Sequence, residues 1–588
     1  MFNLSHQSGY TRRGSYPRRG RISFQVLIIM FIFGYFCKTT LYSLEDYYAG
    51  ACNRDTETFS GEPFAGPSRR EKERPHHAQS EAASYVGWEK PIDDGFDRDH
   101  NDHFVEALEN MLSILPDEPD IKDAVAPIEG TGEEKVREVG ARARIFKDAF
   151  EAWEALHIFP TRDQMFVRQD TLQYLKRSPS LVSRQQLDQA SIIHRYEEFH
   201  SFLTRLSTLL FSWTIPYFPD LTTLHAQLWS GGQGIVLTGG DHQAAYLLTS
   251  IQAFRSMGCD LPVEIMYLGD DDLGHENRQK LEAIDGVITR DLSPMVNDKG
   301  WKLAGWALKP FAILLSSFRE AIFIDADSLF LRDPAILFKD PDYMETGALF
   351  FKDRVIQPSS KRTWLKKILP TPVSSKIRQN RFWTGESSHM QESGVVVIDK
   401  WEHFVALLVI TRMNGPDRDG KKEEGIVGVY DMVFGDKETF WLGHELVGDT
   451  SYAFHDGKVA VMGVAEEKPS DDPEKHSHEL RDTESEQPRR AFSICAPQLV
   501  HLDGAGRPLW FNGWILPNKF SDDPNLQPVN FESFITEPSN IKGSGPWELK
   551  GNNILCLTSD HFLNLTTVEK EALDTTIQIA KRVGAIGA

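Results

Sequence analysis

An α/β fold built on a largely parallel sheet is predicted for the larger part of this chain, and three observations predict it. Short apolar runs ending in or near Gly or Asp recur after residue 230: GIVLTGG (234–240), VEIMYLGDDD (263–272), AIFIDAD (321–327), GALFF (347–351) and GVVVIDKW (394–401). Stretches with helical periodicity lie between them, AAYLLTSIQAFRSMG (244–258) and WALKPFAILLSSF (306–318). Buried strands alternating with helices make a sheet covered on both faces, whose ligands gather at the carboxyl ends of the strands. Finally, 588 residues leave room for one such domain with segments before and after it.

Taken in order, Arg12, Arg13, Arg18, Arg19 and Arg21 lead into an apolar run from Ile22 to Cys37. As a helix those residues span about 24 Å, the thickness of a thin bilayer. Glu45 and Asp46 follow, so the positive-inside rule predicts a type II anchor at 22–37 with residues 1–21 in the cytosol. A cleaved signal peptide is the rival reading, but its candidate cleavage site, Ala49-Gly50-Ala51, lies far beyond the apolar run. Residues 38–132 are polar and rich in Pro, Gly and charge, and predict a flexible stem. Val136, Val139, Ala143, Phe146, Phe150 and Trp153 then mark one face of an amphipathic helix, opening a helical region over 133–230. The α/β domain is expected over 231–525, interrupted by a charged, mobile surface loop at 466–490. A C-terminal extension, 526–588, carries the sequon Asn564-Leu565-Thr566, compatible with a lumenal location.

The charge balance excludes one class of partner. With 64 Lys+Arg against 85 Asp+Glu the formal charge is -21, which repels nucleic acid and requires local cations for any anionic ligand. Five cysteines are too few for a disulfide scaffold, and no CxxC or Cys/His spacing suggests zinc. Pairing among Cys52, Cys259, Cys495 and Cys556 stays open.

The chemistry centres on Asp325-Ala326-Asp327. In an extended strand residues i and i+2 face the same way, so two hard oxygen donors would converge on a metal. An EF-hand needs an oxygen at Leu329 and Gly at Phe330, which excludes that alternative. Strand termination and helix capping remain the bland reading, and the other Asp-x-Asp triplets (97–99, 340–342, 417–419) show how weak the triplet alone is. Asp270-Asp271-Asp272 follows a strand too, but Gly269 breaks it and a helix from His275 points to capping. Thr238-Gly239-Gly240 ends the first strand, where glycines let a nucleotide approach the backbone or simply make a turn.

Five blocks occur in order: GIVLTGGDHQAAYLLTSIQAFRSMGCDLPVEIMYLGDDDL, GWALKPFAILLSSFREAIFIDADSLFLRDP, ESGVVVIDKW, GDKETFWLG and ICAPQLVHLDGAGRPLWFNG. Together they resemble the fungal α-mannosyltransferases of glycosyltransferase family 71, over roughly residues 230 to 520. The resemblance implies a GT-A-like nucleotide-sugar-binding domain, a type II Golgi membrane protein with its catalytic domain in the lumen, GDP-mannose as donor, Mn²⁺ as cofactor and a mannose-terminated glycan as acceptor. It favours an α-1,3 linkage, with α-1,2 kept open. It also implies His501 as a third metal ligand beside Asp325 and Asp327, Gly504 for close backbone approach, and Arg507 and Lys309 for the diphosphate. Glu392, Asp436 and Glu438 lie in blocks expected to face the transferred sugar. Each has a bland alternative: a hydrogen-bonded histidine, a solvated lysine, surface acids. A glycosidase, which also needs two carboxylates, and a catalytically silent carbohydrate-binding homologue are the rival functions.

Overall fold

The computed structural model describes residues 94–160, 165–168, 170–177, 187–468, 491–521, 523, 525–539, 546–551 and 554–587. The tail, the anchor at 22–37, the stem up to residue 93 and most of the loop at 466–490 lie outside the described residues. Among those described, no helix is long and apolar enough to cross a membrane.

Residues 94–132 are not the flexible stem that composition predicted. Helices Asp94–Ile114 and Glu118–Ala124 occupy most of them. Phe104, Leu108, Met111 and Leu112 recur at helical spacing and are buried, while Glu106 and Glu109 on the other side are exposed. Averaging over the polar face hid a one-sided apolar stripe. Helix α1 (Gly132–His157) follows, with Val136, Val139, Ala143, Phe146 and Phe150 buried as the periodicity required. It packs on α2 (Gln189–Phe211), where Phe146 and Phe211 meet edge to face at 5.1 Å.

The strands of the α/β region are β1 (Gln233–Thr238), β2 (Val263–Tyr267), β3 (Val287–Asp291), β4 (Glu320–Ile324) with its continuation β5 (Ser328–Phe330), β6 (Ala348–Lys352), β7 (Gln391–Asp399) and β8 (Ala453–Phe454). All except β5 form one sheet in the order β8-β6-β7-β4-β1-β2-β3. Strands β4, β1, β2 and β3 are parallel, and β7 runs antiparallel between β4 and β6. Helix α3 (Ala244–Ser256) connects β1 to β2, and α4 (Leu308–Leu315) leads into β4. Because the chain proceeds from β1 to β2 on one side while β4 lies on the other, the carboxyl ends of β1 and β4 flank a topological switch point. Helices α5 (Phe404–Asn414) and α6 (Thr439–Leu446) are buried along their whole length.

A second sheet extends the first. Strand β5 pairs outward with, in order, β11 (Pro508–Asn512), β10 (Leu499–Leu502), β9 (Val459–Gly463), β12 (Ser533–Thr536) and Leu563–Asn564. A four-stranded sheet, Glu466–Lys468, Ala491–Ala496, Ile554–Ser559 and Trp547–Gly551, carries a disulfide between the directly opposed Cys495 and Cys556. Cys259 is a buried free thiol.

No break falls at 525/526. Strand β12 is inserted beside β9, and helix α7 (Thr567–Arg582) places Leu573 and Ala580 in the core against Tyr246 of α3. The sequence suggested an appendage because this stretch falls outside the five resembling blocks, but its apolar side completes the core.

Candidate active site

Strand β4 ends at Ile324, and the chain leaves the sheet in a turn closed by Ser328 N–H donating to the Asp325 carbonyl at 2.9 Å. This turn replaces the extended geometry that sequence reading assumed. Both carboxylates still reach the carboxyl edge, their side chains 19% and 18% exposed. Each binds a lysine. Lys309 Nζ donates to Asp325 Oδ2 at 2.8 Å and lies 3.3 Å from Asp436 Oδ2; Lys519 donates to Asp327 Oδ2.

Lys309 sits in the first turn of α4, where every residue of the helix is buried, so it is not a solvated surface lysine. Burial opposes its charge, yet the carboxylates of Asp325, Asp436 and Glu392 outweigh that and raise its pKa. Burial, with Asp327 and Asp436 adding repulsion, pushes the Asp325 carboxyl up to about 7 against the pull of Lys309.

The antiparallel direction of β7 brings its first residues to the same edge, where Asp325 N–H donates to the Gly394 carbonyl at 2.8 Å. Gly394 sits tightly there, because a Cβ would lie 2.9 Å from Ser328 Oγ and 3.2 Å from the Trp510 ring. Glu392 is buried; its Oε1 accepts from Gly394 N–H and Asn512 Nδ2, both at 3.0 Å, and its Oε2 accepts from Lys437 Nζ at 2.6 Å. Lys437 also donates to Asp353 Oδ2 at 2.8 Å. Burial opposes ionisation of Glu392 and Asp353, but the ammonium between them holds both below the ordinary carboxylate range.

Asp325, Asp327, Asp353, Glu392 and Asp436 therefore face Lys309, Lys437 and Lys519, with Arg354 3.5 Å from Asp353. The set stays net negative with every pair formed. Asp436 Oδ2 is buried without a hydrogen bond, and the ammonium of Lys309 lies 3.3 Å from it. Partly exposed carboxylates and leftover negative charge fit a hard divalent cation such as Mn²⁺, which one or two carboxylates bind while ligand phosphates fill the other positions.

Several expected residues lie elsewhere. His501 sits in β10, in register with Trp510 and through it with Phe330, two strands away from β5. Among the described contacts its ring meets neither Asp325 nor Asp327, and its Nε2 is buried without a hydrogen-bond partner. Its ring stacks on Trp510 at 3.9 Å, and burial pushes its pKa down to about 3 although Glu392 and Asp353 pull it up. Arg507 is turned away from the diphosphate role: it donates to Glu569 Oε1 at 2.9 Å and lies 5.2 Å over the Phe534 ring. Gly504 occupies an open hairpin where a Cβ meets nothing within 4 Å; the turn needs Gly506, at φ +77. The hairpin register decides all three positions. Glu438 is fully buried, its oxygens accepting from Met390 N–H at 2.9 Å and Trp441 Nε1 at 2.6 Å, so it ties α6 to β7 rather than facing a sugar.

Thr238 and Gly239 are half-buried at the end of β1. Gly240 lets the next loop dock: a Cβ there would lie 2.4 Å from Asp272 Oδ1, and Asp241 N–H donates to the Asp272 carbonyl at 2.7 Å. Asp272 itself accepts from Leu268 N–H at 2.9 Å, folding its loop back on the end of β2; it does not cap the helix from His275, whose N-cap is Gly274 with no side-chain cap.

Sequence reasoning missed Lys519, Lys437 and Asp353. Lys519 had no signal, since nothing in ILPNKF marks a site. Its loop is nevertheless wound on Asp327, whose carbonyl accepts from Trp514 N–H at 3.1 Å, and Trp514 is held at φ +66. A buried tryptophan in the left-handed region is strained, and such strain collects at functional sites.

The resemblance read from the five blocks is borne out. The family model described as "Mannosyltransferase putative" matches residues 232–503. The "Putative alpha-1,3-mannosyltransferase MNN14" of Candida albicans is 27% identical over 341 residues, 53% of this chain and 46% of that protein. The alpha-1,3-mannosyltransferase MNT3 of Saccharomyces cerevisiae is 25% identical over 354 residues, 53% of this chain and 52% of that protein. The chain thus spans about half the length of the curated relatives it matches. Among solved structures, the mannosyltransferase Ktr4p of Saccharomyces cerevisiae aligns over 38% of this chain and 70% of that one, with a TM-score of 0.26 and 14% identity, too distant to carry an argument.

Proposed function

We propose that this chain, similar over its α/β region to fungal α-1,3-mannosyltransferases, transfers mannose from GDP-mannose to a mannose-terminated glycan, with an α-1,3 linkage favoured over α-1,2. The observation that carries the reading is the net-negative, lysine-laced cluster around Asp325 and Asp327 at the switch point of a GT-A-like sheet. A bound Mn²⁺ supplies charge for the diphosphate leaving group. Lys519 is then the chain's own cation for that group: its ammonium already reaches Asp327, and with its side chain 29% exposed it is free to exchange a carboxylate for a phosphate oxygen. Lys309 holds Asp325 and Asp436 in place from inside the core, and Lys437 does the same for Glu392 and Asp353. Glu392 and Asp436, which lie within this cluster, are assigned to the transferred sugar, a role that requires Lys437 and Lys309 to release them to its hydroxyls.

A glycosidase would hydrolyse without a diphosphate and has no use for lysine on each carboxylate. The oxidised Cys495–Cys556 pair and the exposed Asn564 of the sequon support a secretory, Golgi-lumenal location behind a type II anchor. Incubating the protein with a panel of nucleotide sugars and mannosides in Mn²⁺, then mapping the product linkage, tests the reading. Transfer from GDP-mannose alone, giving α-1,3-linked mannose, is expected. Transfer from a uridine nucleotide sugar, or release of mannose without any nucleotide, overturns it.

A further inference from the structure

At the edge of the sheet opposite Asp325, three side chains converge that the transfer reaction does not use. His403 precedes α5, His444 lies within α6, and Asp449 follows in the turn after α6. Strand β7 separates the two places: Glu392 is near its first residue and Asp399 is its last, about 23 Å further along.

His403 Nδ1 lies 2.7 Å from Asp449 Oδ2, and its Nε2 lies 2.8 Å from the Thr346 carbonyl. A carbonyl only accepts, so Nε2 carries a proton and donates; Nδ1 is the atom left for a proton or a metal. Donation of the far nitrogen to a backbone carbonyl is the arrangement that orients metal-bound histidines. Asp449 is oriented as well, its Oδ1 accepting from Ser451 N–H at 2.9 Å. His444 provides the independent observation. It is 0% exposed, and neither ring nitrogen has a hydrogen-bond partner although Nδ1 lies 3.3 Å from Asp449 Oδ2. A buried unpaired polar atom is unfavourable unless something binds it. The candidate ligand atoms of the three residues lie within 4.8 Å of one another. Donors around tetrahedral zinc are about 3.3 Å apart for bonds of about 2.0 Å, so small side-chain shifts suffice.

We propose that His403, His444 and Asp449 bind a second, structural divalent metal, of the zinc class. Two imidazoles and one carboxylate select Zn²⁺ or Co²⁺ over Mn²⁺, whereas the all-oxygen site at Asp325 and Asp327 selects the reverse. Water takes the fourth position. A groove lined by Glu154, His225, Glu402, His403 and Asp449 opens on the site, and the exposed Glu402 favours cation entry. Bound there, the ion joins the start of α5, the end of α6 and, through Thr346, the start of β6.

The test uses the full chain carrying Asp325→Asn and Asp327→Asn, which removes the oxygen site, and its readouts do not depend on transfer activity. After chelation the protein is loaded with Zn²⁺ or Co²⁺ and desalted, and metal content, visible cobalt absorption and thermal midpoint are measured. Expected are one metal per chain, intense tetrahedral cobalt bands and a midpoint raised by about 5 °C or more. Asp449→Asn, nearly the same size, and His444→Phe should each lose the bands and the shift. If His444→Phe does not fold, Asp449→Asn decides alone. No metal retained by the parent, or equal retention by Asp449→Asn, overturns the proposal.

Discussion

A carboxylate means different things in different surroundings, and the Asp-x-Asp triplets of this chain show it. Asp340 caps the helix Pro341–Thr346 through Asp342 N–H at 2.9 Å, and Asp417 is buried against Arg412 at 2.6 Å and Lys135 at 2.7 Å. Only Asp325 and Asp327 stand at the end of the central parallel strand. Asp327→Ala is therefore expected to lower turnover by about 10² to 10⁴-fold with the thermal midpoint retained, since several kcal/mol of transition-state stabilisation disappear while no core packing does. Asp419→Ala, exposed and, among the described residues, paired with its neighbour Arg418, is the proper control. Equal loss in both would sink the assignment. Lys309→Met should act through stability, because Asp325 and Asp436 would be left buried without their cation at a cost of about 3 to 5 kcal/mol. Added Mn²⁺ should raise the midpoint of Lys309→Met more than that of the wild type; an equal rise argues against metal at these carboxylates.

Elements are joined by pairs that the sequence does not announce. Arg507 of the β10–β11 hairpin holds Glu569 in the first turn of α7, where Thr566 completes a capping box. Arg507→Ala should thus lower stability by about 2 kcal/mol, discounted for its partial exposure, and leave kcat within about threefold of wild type. Lys519→Ala should do the opposite, lowering kcat and sparing the midpoint. Matched kinetics and melting curves separate the two, and a large kcat loss in Arg507→Ala would restore the diphosphate role. Between α1 and α2, His157 accepts from Tyr196 Oη at 2.9 Å and donates to the Trp153 carbonyl at 2.7 Å. Burial lowers its pKa to about 4 from 6.5, only partly opposed by the Trp153 bond. Because the folded value is depressed, the unfolded chain takes up the proton first as pH falls. Stability is full above about 6.5 and declines towards pH 4 by roughly 3 kcal/mol. Denaturant midpoints measured across this window should fall less steeply in His157→Phe; identical slopes would contradict the shift.

For the whole molecule, the disulfide matters most at the periphery. Cys495–Cys556 closes a sequence separation of 61 residues, so the chain-entropy model assigns it about 4 kcal/mol. Reduction, or Cys556→Ala, should lower the midpoint and expose the four-stranded sheet to proteolysis, with transfer preserved at low temperature because the cluster at β4 lies in another sheet. Unchanged melting after reduction would show that the bridge adds nothing.

The apolar runs sufficed for β1, β2, β4, β6 and β7, because a strand buried on both faces must be apolar throughout, and a turn must follow where Gly or Asp ends it. The same reasoning located Asp325 and Asp327 and, with the resembling blocks, Lys309, Glu392 and Asp436. The stripe on Asp94–Ile114 was there to be read, and averaging concealed it. Strand register and long-range pairing were not legible. That β10 and β11 form a hairpin holding His501 beside Trp510, that Arg507 meets a helix 62 positions later, and that Lys519 reaches Asp327 across 192 positions are outcomes of tertiary packing. Local sequence determines which segments are buried and where they must turn, since burial follows from each segment's own composition. Which charge meets which depends on the sheet order and on one-residue choices of register, and only the assembled fold sets those.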